Sequence, residues 1–222
     1  MSPARKPAPR RATGARAAAV PEAPRPAPAR LDAGRVIAGS ARGRKLVAGP
    51  MTVRPLGDRV KQTLFAILEP DLRGRAFLDV FAGTGAGGIE ALSRGSSRAV
   101  FIERDPAAIR AIAHNLAATH FGPPAAVVVR DDALTWLPRT GPATGPYRVI
   151  LLDPPYDEPA LLDGALEAIA AAGPDGILES GGVVVSKHFW RSSPAARIGL
   201  LASARERRFG ETGLTFHRWE AE

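Results

Sequence analysis

The stretch that decides the fold is YRVILLDPPY, which spans Tyr147–Tyr156. Its first six residues are mostly apolar, as in a strand buried on both faces of a parallel sheet. Two prolines end that strand, because proline cannot donate to a sheet ladder. We therefore expect Asp153, the Pro154 carbonyl and Tyr156 at the carboxyl end of a central strand, the edge at which open α/β sheets bind ligands. The alternative is that Asp153 only caps the next helix.

A second motif lies upstream, where GTGAGG at residues 83–88 follows a predicted strand and opens a predicted helix. Glycines allow the backbone to approach a ligand closely. Glu103, 20 residues after Gly83, is predicted at the end of the second strand, where an acidic side chain accepts hydrogen bonds from ribose hydroxyls. This pattern alone is compatible with a nicotinamide dinucleotide or with S-adenosylmethionine.

Two further carboxylates favour S-adenosylmethionine. Asp79 precedes the glycines, where it can hold the methionine ammonium but would repel a pyrophosphate. Asp132 ends the third predicted strand, where it can accept from an adenine amino group while the Ala133 N–H donates to the ring. We favour Asp132 over Asp131, since only one of two successive residues faces the pocket. Asp132 can also cap the short helix that follows. The predicted cofactor contacts are Asp79, Phe81, Ala82, Gly83, Gly85, Glu103, Arg104, Asp132, Ala133 and Asp153.

Composition excludes several other kinds of chemistry. The chain has no cysteine, which rules out disulfides, thiolate zinc sites and cysteine nucleophiles. Its four histidines are scattered, so no metal site is predicted. No apolar run approaches the roughly 20 residues of a membrane span, and we expect a cytoplasmic protein.

Positive charge is concentrated at the start of the chain. Residues 1–61 carry 14 Lys and Arg against 3 acidic residues, a net charge of +11, whereas residues 62–222 carry 16 against 19, a net charge of −3. The Ala-, Pro- and Arg-rich residues 1–33 are predicted to be a disordered basic tail. A hairpin over residues 35–47 and a helix from Asp58 follow, and they offer phosphate contacts. The predicted RNA-binding residues are Arg42, Arg44, Lys45, Arg54, Arg59 and Lys61.

Strands alternate with helices from Ala76 onward, and this predicts a Rossmann-like, doubly wound α/β fold. We expect a mostly parallel, seven-stranded sheet with a C-terminal antiparallel hairpin about Gly210-Glu211-Thr212. The predicted organisation is the tail at 1–33, a hairpin-and-helix extension at 34–70 that contacts RNA or the cofactor, and a catalytic domain at 71–222.

With both motifs placed, the sequence resembles the class I S-adenosylmethionine-dependent methyltransferases, and among them the RsmD-type 16S ribosomal RNA (guanine-N2) methyltransferases. The hairpin residues RVIAG and RGRKL, the helix start DRVK, the loop DVFAGTG and the DPPY tetrapeptide carry this resemblance, which covers residues 35–219. It implies a monomer that acts on 16S ribosomal RNA or the assembling small subunit.

The resemblance also implies roles at the methyl acceptor. Asp153 and the Pro154 carbonyl would accept the two protons of the guanine amine and aim its lone pair at the methyl group, and Tyr156 would stack on the flipped-out base. Two alternatives stay open. The tetrapeptide is shared by enzymes that methylate DNA adenine, DNA cytosine or protein glutamine, and a non-catalytic RNA-binding protein with the same fold is the other.

Overall fold

The structure is a computed structural model that describes residues 34–49, 56–174 and 176–220. The predicted tail at residues 1–33 and the predicted RNA-binding residue Arg54 lie outside these ranges. No helix in the ranges is long and apolar enough to cross a bilayer. The helices are α1 (Asp58–Leu72), α2 (Ala86–Ser93), α3 (Pro106–Thr119), α4 (Ala133–Arg139), α5 (Gly141–Thr144) and α6 (Pro159–Ala172). The strands are β1 (Ala76–Val80), β2 (Arg98–Glu103), β3 (Ala126–Arg130), β4 (Tyr147–Leu152), β5 (Leu178–Phe189), β6 (Arg197–Ile198), β7 (Leu201–Phe209) and β8 (Thr212–Trp219).

The strands form one sheet in the order β3-β2-β1-β4-β5-β8-β7-β6. Strands β1 to β5 pair in parallel, whereas β8, β7 and β6 add in antiparallel fashion. The predicted fold class and C-terminal hairpin are confirmed. The sheet has eight strands rather than seven because a two-residue strand, Arg197–Ile198, pairs with the start of β7. Nothing in so short a segment has a detectable strand period.

Two layers of helices cover the sheet. Helices α1, α2 and α3 pack on one face, where Phe77, Phe101 and Leu151 are buried. Helices α4 and α6 pack on the other face, where Leu78, Ile102 and other strand residues are buried. This alternation follows from the two-residue period of a strand. It explains why the parallel strands are mostly apolar, since both of their faces lie inside.

The N-terminal extension is tied to the core by backbone groups. One antiparallel bridge, Arg35 to Lys45, closes the predicted hairpin. The backbone amides of Ile37 and Ala38 donate to the buried Glu90 carboxylate at 2.8 and 3.0 Å. These bonds fix the hairpin to α2.

Helix α1 begins at Asp58, as predicted, and runs to Leu72. The structure corrects the predicted position of one residue in this helix. Lys61, which the sequence places on a solvent-accessible face, has no exposed surface, and its ammonium donates to the Arg35 carbonyl at 2.6 Å. Burial lowers the pKa of Lys61, an effect that the nearby Glu90 and Asp58 carboxylates oppose. Lys61 therefore holds the extension in place and does not belong to an exposed RNA-binding surface.

Candidate active site

A cavity of about 610 Å³ opens at the carboxyl ends of the parallel strands. It brings together Asp153, Pro154 and Tyr156 with nine of the ten predicted cofactor residues, Asp153 among them. Gly85 is the exception. Its φ is +77° and its N–H bonds to the Ala82 carbonyl at 2.7 Å, so it forms the turn into α2 behind the cavity wall.

The glycine loop brings α2 close to the sheet. A Cβ at Gly88 would lie 2.3 Å from the Phe101 ring, so the helix can pack there only with glycine. The Gly88 N–H is thereby directed at Asp79 Oδ2, at 2.7 Å. Phe81, at the start of the loop, has a φ of +62°, which is costly for a residue with a side chain and is common at ligand sites.

Asp79 lies at the bottom of the cavity and is only 2% exposed. Burial raises its pKa to about 8; the Gly88 N–H opposes this shift, and the negative charges of Asp153 and Glu103 add to it. Asp79 is therefore largely protonated at neutral pH in the free protein. A cation bound beside it would favour the ionised carboxylate.

Two more of the predicted cofactor carboxylates, Glu103 and Asp132, are held by backbone N–H groups. Glu103 accepts from Gly83 N at 2.7 Å and from Asp105 N at 2.8 Å. Asp132 Oδ1 accepts from Leu134 N and Thr135 N and so caps α4, which confirms the capping role. Arg104 reaches from Asp132 at 3.6 Å to Glu158 at 3.4 Å across the wall of the cavity. Asp131 also lines the cavity, but its carboxylate pairs with Arg139 at 2.6 Å.

The acceptor end contains a cation that sequence reasoning missed. Lys187 forms a short ion pair with Asp153 Oδ1, and its Nζ lies 4.9 Å from the centroid of the Tyr156 ring. The Tyr156 hydroxyl contacts Thr212 Oγ1 at 2.9 Å. A signal exists in the register, because Leu152 pairs with Ser186 and so Asp153 follows beside Lys187. That register cannot be read before the strand pairing is known.

The lining charge is strongly negative. Eight acidic residues line the cavity against two basic residues, Arg104 and Lys187. Such a surface attracts a ligand that carries positive charge and repels a pyrophosphate. The geometry thus favours a sulfonium and ammonium compound over a nicotinamide dinucleotide.

Four of the predicted RNA-binding residues are exposed and one is buried. Arg42, Arg44, Lys45 and Arg59 are exposed, whereas Lys61 is buried. The turn of the hairpin packs on the last residue of α2, with Ala41 N bonded to Ser93 Oγ at 3.0 Å. Because α2 begins at the cavity with Ala86 and is eight residues long, the turn lies about 12 Å farther along the helix.

Comparison with known proteins places these features among methyltransferases. Residues 34–218 match the family model described as "Conserved hypothetical protein 95". The chain is 36% identical over 186 residues to "Putative rRNA methyltransferase YlbH" of Bacillus subtilis (strain 168), covering 83% of this chain and 98% of that protein. It is 42% identical over 123 residues to "Ribosomal RNA small subunit methyltransferase D" of Escherichia coli (strain K12), covering 55% of this chain and 60% of that protein. A solved structure, "Putative methyltransferase yhhF from Escherichia coli", matches with a TM-score of 0.72 and 31% identity over 85% of this chain and 98% of that one.

Proposed function

This chain belongs to the family described as "Conserved hypothetical protein 95", and on that premise we propose that it methylates the exocyclic N2 amine of a guanine in small-subunit ribosomal RNA, using S-adenosylmethionine. One observation carries the proposal. A single cavity joins an acidic pocket suited to a cationic cofactor to the Asp153-Pro154-Pro155-Tyr156 edge. The names of the Bacillus and Escherichia relatives support ribosomal RNA as the substrate.

Each of three carboxylates would bind a different part of the cofactor. Asp79 would hold the methionine ammonium, Glu103 would accept from the ribose hydroxyls, and Asp132 would accept from the adenine amino group. The Ala133 N–H, the Gly83 backbone and the neighbouring Phe81, Ala82 and Arg104 would complete the contacts. The cofactor supplies an electrophilic methyl group on a positively charged sulfur.

Asp153 and the Pro154 carbonyl would act on the acceptor. The guanine amine is a weak nucleophile because its lone pair is delocalised into the ring. If its two protons bond to Asp153 Oδ2 and to the Pro154 oxygen, the lone pair is turned toward the methyl group, and positioning supplies most of the rate. One proton must leave nitrogen as the new N–C bond forms, and Asp153 is the nearest predicted acceptor. Tyr156, fixed by Thr212 and Lys187, would stack on the flipped-out base.

We further propose that residues 34–70 form an RNA-contacting extension on a methyltransferase domain at residues 71–222. Arg42, Arg44, Lys45 and Arg59, which are exposed, would contact phosphates. The protein would act as a monomer in the cytoplasm, without a metal.

The test uses methyl-labelled S-adenosylmethionine with four substrates in parallel: small-subunit particles, naked small-subunit RNA, DNA and a glutamine-containing peptide. After digestion, label in N2-methylguanosine from either RNA sample is the expected result. Label in methylated adenine, methylated cytosine or methylglutamine would reject the guanine assignment. Glu167→Gln neutralises an exposed carboxylate on α6. This control variant is expected to give the same labelling as wild type.

A further inference from the structure

A second basic surface lies at the edge of the sheet that carries the cavity. Strand β5 ends at Phe189 beside Thr212, and β7 ends at Phe209 beside the same residue. Trp190 follows β5 directly, and its backbone N–H bonds to the Glu211 carbonyl at 3.0 Å. The β7–β8 turn and the end of β5 are therefore neighbours of Tyr156, whose hydroxyl contacts Thr212.

Two guanidinium groups lie over one aromatic ring at this place. The Arg208 guanidinium carbon is 3.5 Å from the Trp190 ring centroid, and that of Arg191 is 4.7 Å away. Trp190 is half-buried and both arginines are exposed. We call these three residues the Trp190 cluster.

The positive charge of the cluster is not neutralised. Within the described ranges neither Arg191 nor Arg208 forms an ion pair with a carboxylate, whereas Arg197 pairs with Glu220 and Arg218 pairs with Asp71. The Arg208 guanidinium is fixed further by a hydrogen bond from its Nε to the Gly210 carbonyl, at 2.9 Å. Two exposed, uncompensated cations on an aromatic ring are available to an anionic partner.

An aromatic ring flanked by arginines suits single-stranded nucleic acid. Bases stack on aromatic and guanidinium planes, and arginines bind the phosphates between them. Stacking on an aromatic ring depends little on base identity, so such a site adds affinity for RNA without determining which nucleotide is methylated.

A second, smaller cavity of about 140 Å³ adjoins the active site and extends to residues that flank the Trp190 cluster in sequence. It shares Tyr156 and Lys187 with the main cavity. Its opposite wall includes Phe189 and Ser192, the residues on either side of Trp190 and Arg191. A single strand of nucleic acid that leaves the acceptor end past Tyr156 would cross this cavity and reach the cluster.

We propose that the Trp190 cluster binds the single-stranded RNA next to the target guanine, with a base stacked on the cluster and its phosphates held by Arg191 and Arg208. This assignment rests on the proposed function for the identity of the polymer. It gives the protein an RNA contact beside the acceptor end, in addition to the hairpin contact at the other end of α2.

The test compares two double variants that each remove two charges from exposed arginines. Arg191→Gln with Arg208→Gln alters the cluster. Arg205→Gln with Arg207→Gln is the matched control, because these residues alternate with Arg208 along β7 and point to the opposite face. The probe is a short, labelled single-stranded RNA with one central guanine, titrated at several salt concentrations. The cluster variant should bind about tenfold more weakly, and its salt slope should fall by about 1.4, as two lost phosphate contacts predict. The control should bind like wild type.

A ring substitution gives an independent measurement. Trp190→Ala should weaken binding and Trp190→Phe should restore most of it, with thermal unfolding checked for each. The inference is overturned if the cluster variant binds the probe with wild-type affinity and salt slope, if the control variant loses as much, or if wild type binds no RNA. Weakened binding to small-subunit particles without weakened binding to the probe would also overturn it, since a protein would then be the partner. The binding and methylation measurements test the two proposals separately. If the cluster variant weakens RNA binding but the protein methylates no RNA, the assignment of the Trp190 cluster stands and the proposed function is rejected.

Discussion

The two ends of the main cavity are built differently. At the cofactor end, Asp79 accepts a hydrogen bond from the backbone N–H of Gly88 in α2, 9 residues away, and Glu103 accepts one from Gly83 in the glycine loop, 20 residues away. At the acceptor end, Asp153 pairs with the side chain of Lys187, 34 residues away, and Tyr156 contacts Thr212, 56 residues away. The cofactor end is thus held by local backbone geometry, and the acceptor end by side chains that meet only when the sheet is complete.

The difference extends to charge. Asp79 is buried beside other acids and its pKa is raised to about 8, so this end is ready to receive a cation. Asp153 already has a cation against one of its two oxygens. A carboxylate in this state can offer its other oxygen to a neutral amine without attracting a second cation strongly. Mutations at the two ends should therefore have different main effects, although the charge of Asp153 also adds to the raised pKa of Asp79.

The largest separation is expected from Asp153→Ala. Methyl transfer should fall by about 10²–10³-fold, because the variant loses a charge-assisted contact that strengthens in the transition state. Cofactor binding should survive, because Asp79, Glu103 and Asp132, the other carboxylates predicted to contact the cofactor, remain. Single-turnover rates on the saturated complex, with calorimetry of cofactor binding, measure the two quantities. A folded Asp153→Ala protein that methylates at a near wild-type rate would reduce Asp153 to a structural role.

Asp153→Asn refines this test. It keeps the shape and one acceptor oxygen but loses the charge. Partial activity would show that orientation of the lone pair is the main effect, and a rate as low as that of Asp153→Ala would show that the negative charge is required.

Glu103→Ala should act on the cofactor end alone. Loss of a charged acceptor for two ribose hydroxyls should weaken cofactor binding by about 1–3 kcal/mol, roughly fivefold to 150-fold. The rate at saturating cofactor should change much less. Calorimetry with wild type and with the exposed control Glu206→Ala checks the value. Equal affinity in Glu103→Ala and wild type would refute the ribose assignment.

The raised pKa of Asp79 predicts a pH dependence that belongs to the same end. Below about pH 8 the free carboxyl is protonated, and a bound ammonium requires it ionised. Binding must then release a proton, so cofactor affinity rises with pH, by about fivefold between pH 7 and 8, and levels off above that. Asp79→Asn should bind more weakly and lack the Asp79-dependent rise. Parallel pH profiles for both proteins would assign the titration to another group.

The sequence predicted what depends on neighbours along the chain. The glycine loop, Asp79, Glu103 and the Asp132 cap all follow from short-range patterns, and so does the acidic tetrapeptide after β4. It could not predict Lys187, whose position depends on the pairing of β5 with β4. Lys61 was misjudged for a related reason: helical periodicity places it off the apolar face, but the hairpin folds over that side and supplies the Arg35 carbonyl. Both misses concern cations that find partners in distant segments.

Lys187→Met gives the smallest expected effect and tests the acceptor end most closely. Lys187 bonds to Asp153 Oδ1 and leaves Oδ2 for the amine, so it should fix the direction in which the carboxylate accepts. Its loss should slow single-turnover methylation by roughly fivefold, the size of one hydrogen bond of about 1 kcal/mol. Lys187→Arg, which keeps the charge, should recover part of the rate, and cofactor affinity should be unchanged in both. The sign of the effect is decisive. A faster Lys187→Met enzyme would mean that the Lys187 ammonium competes with the guanine amine for Asp153. Lys187 would then slow methylation instead of positioning Asp153.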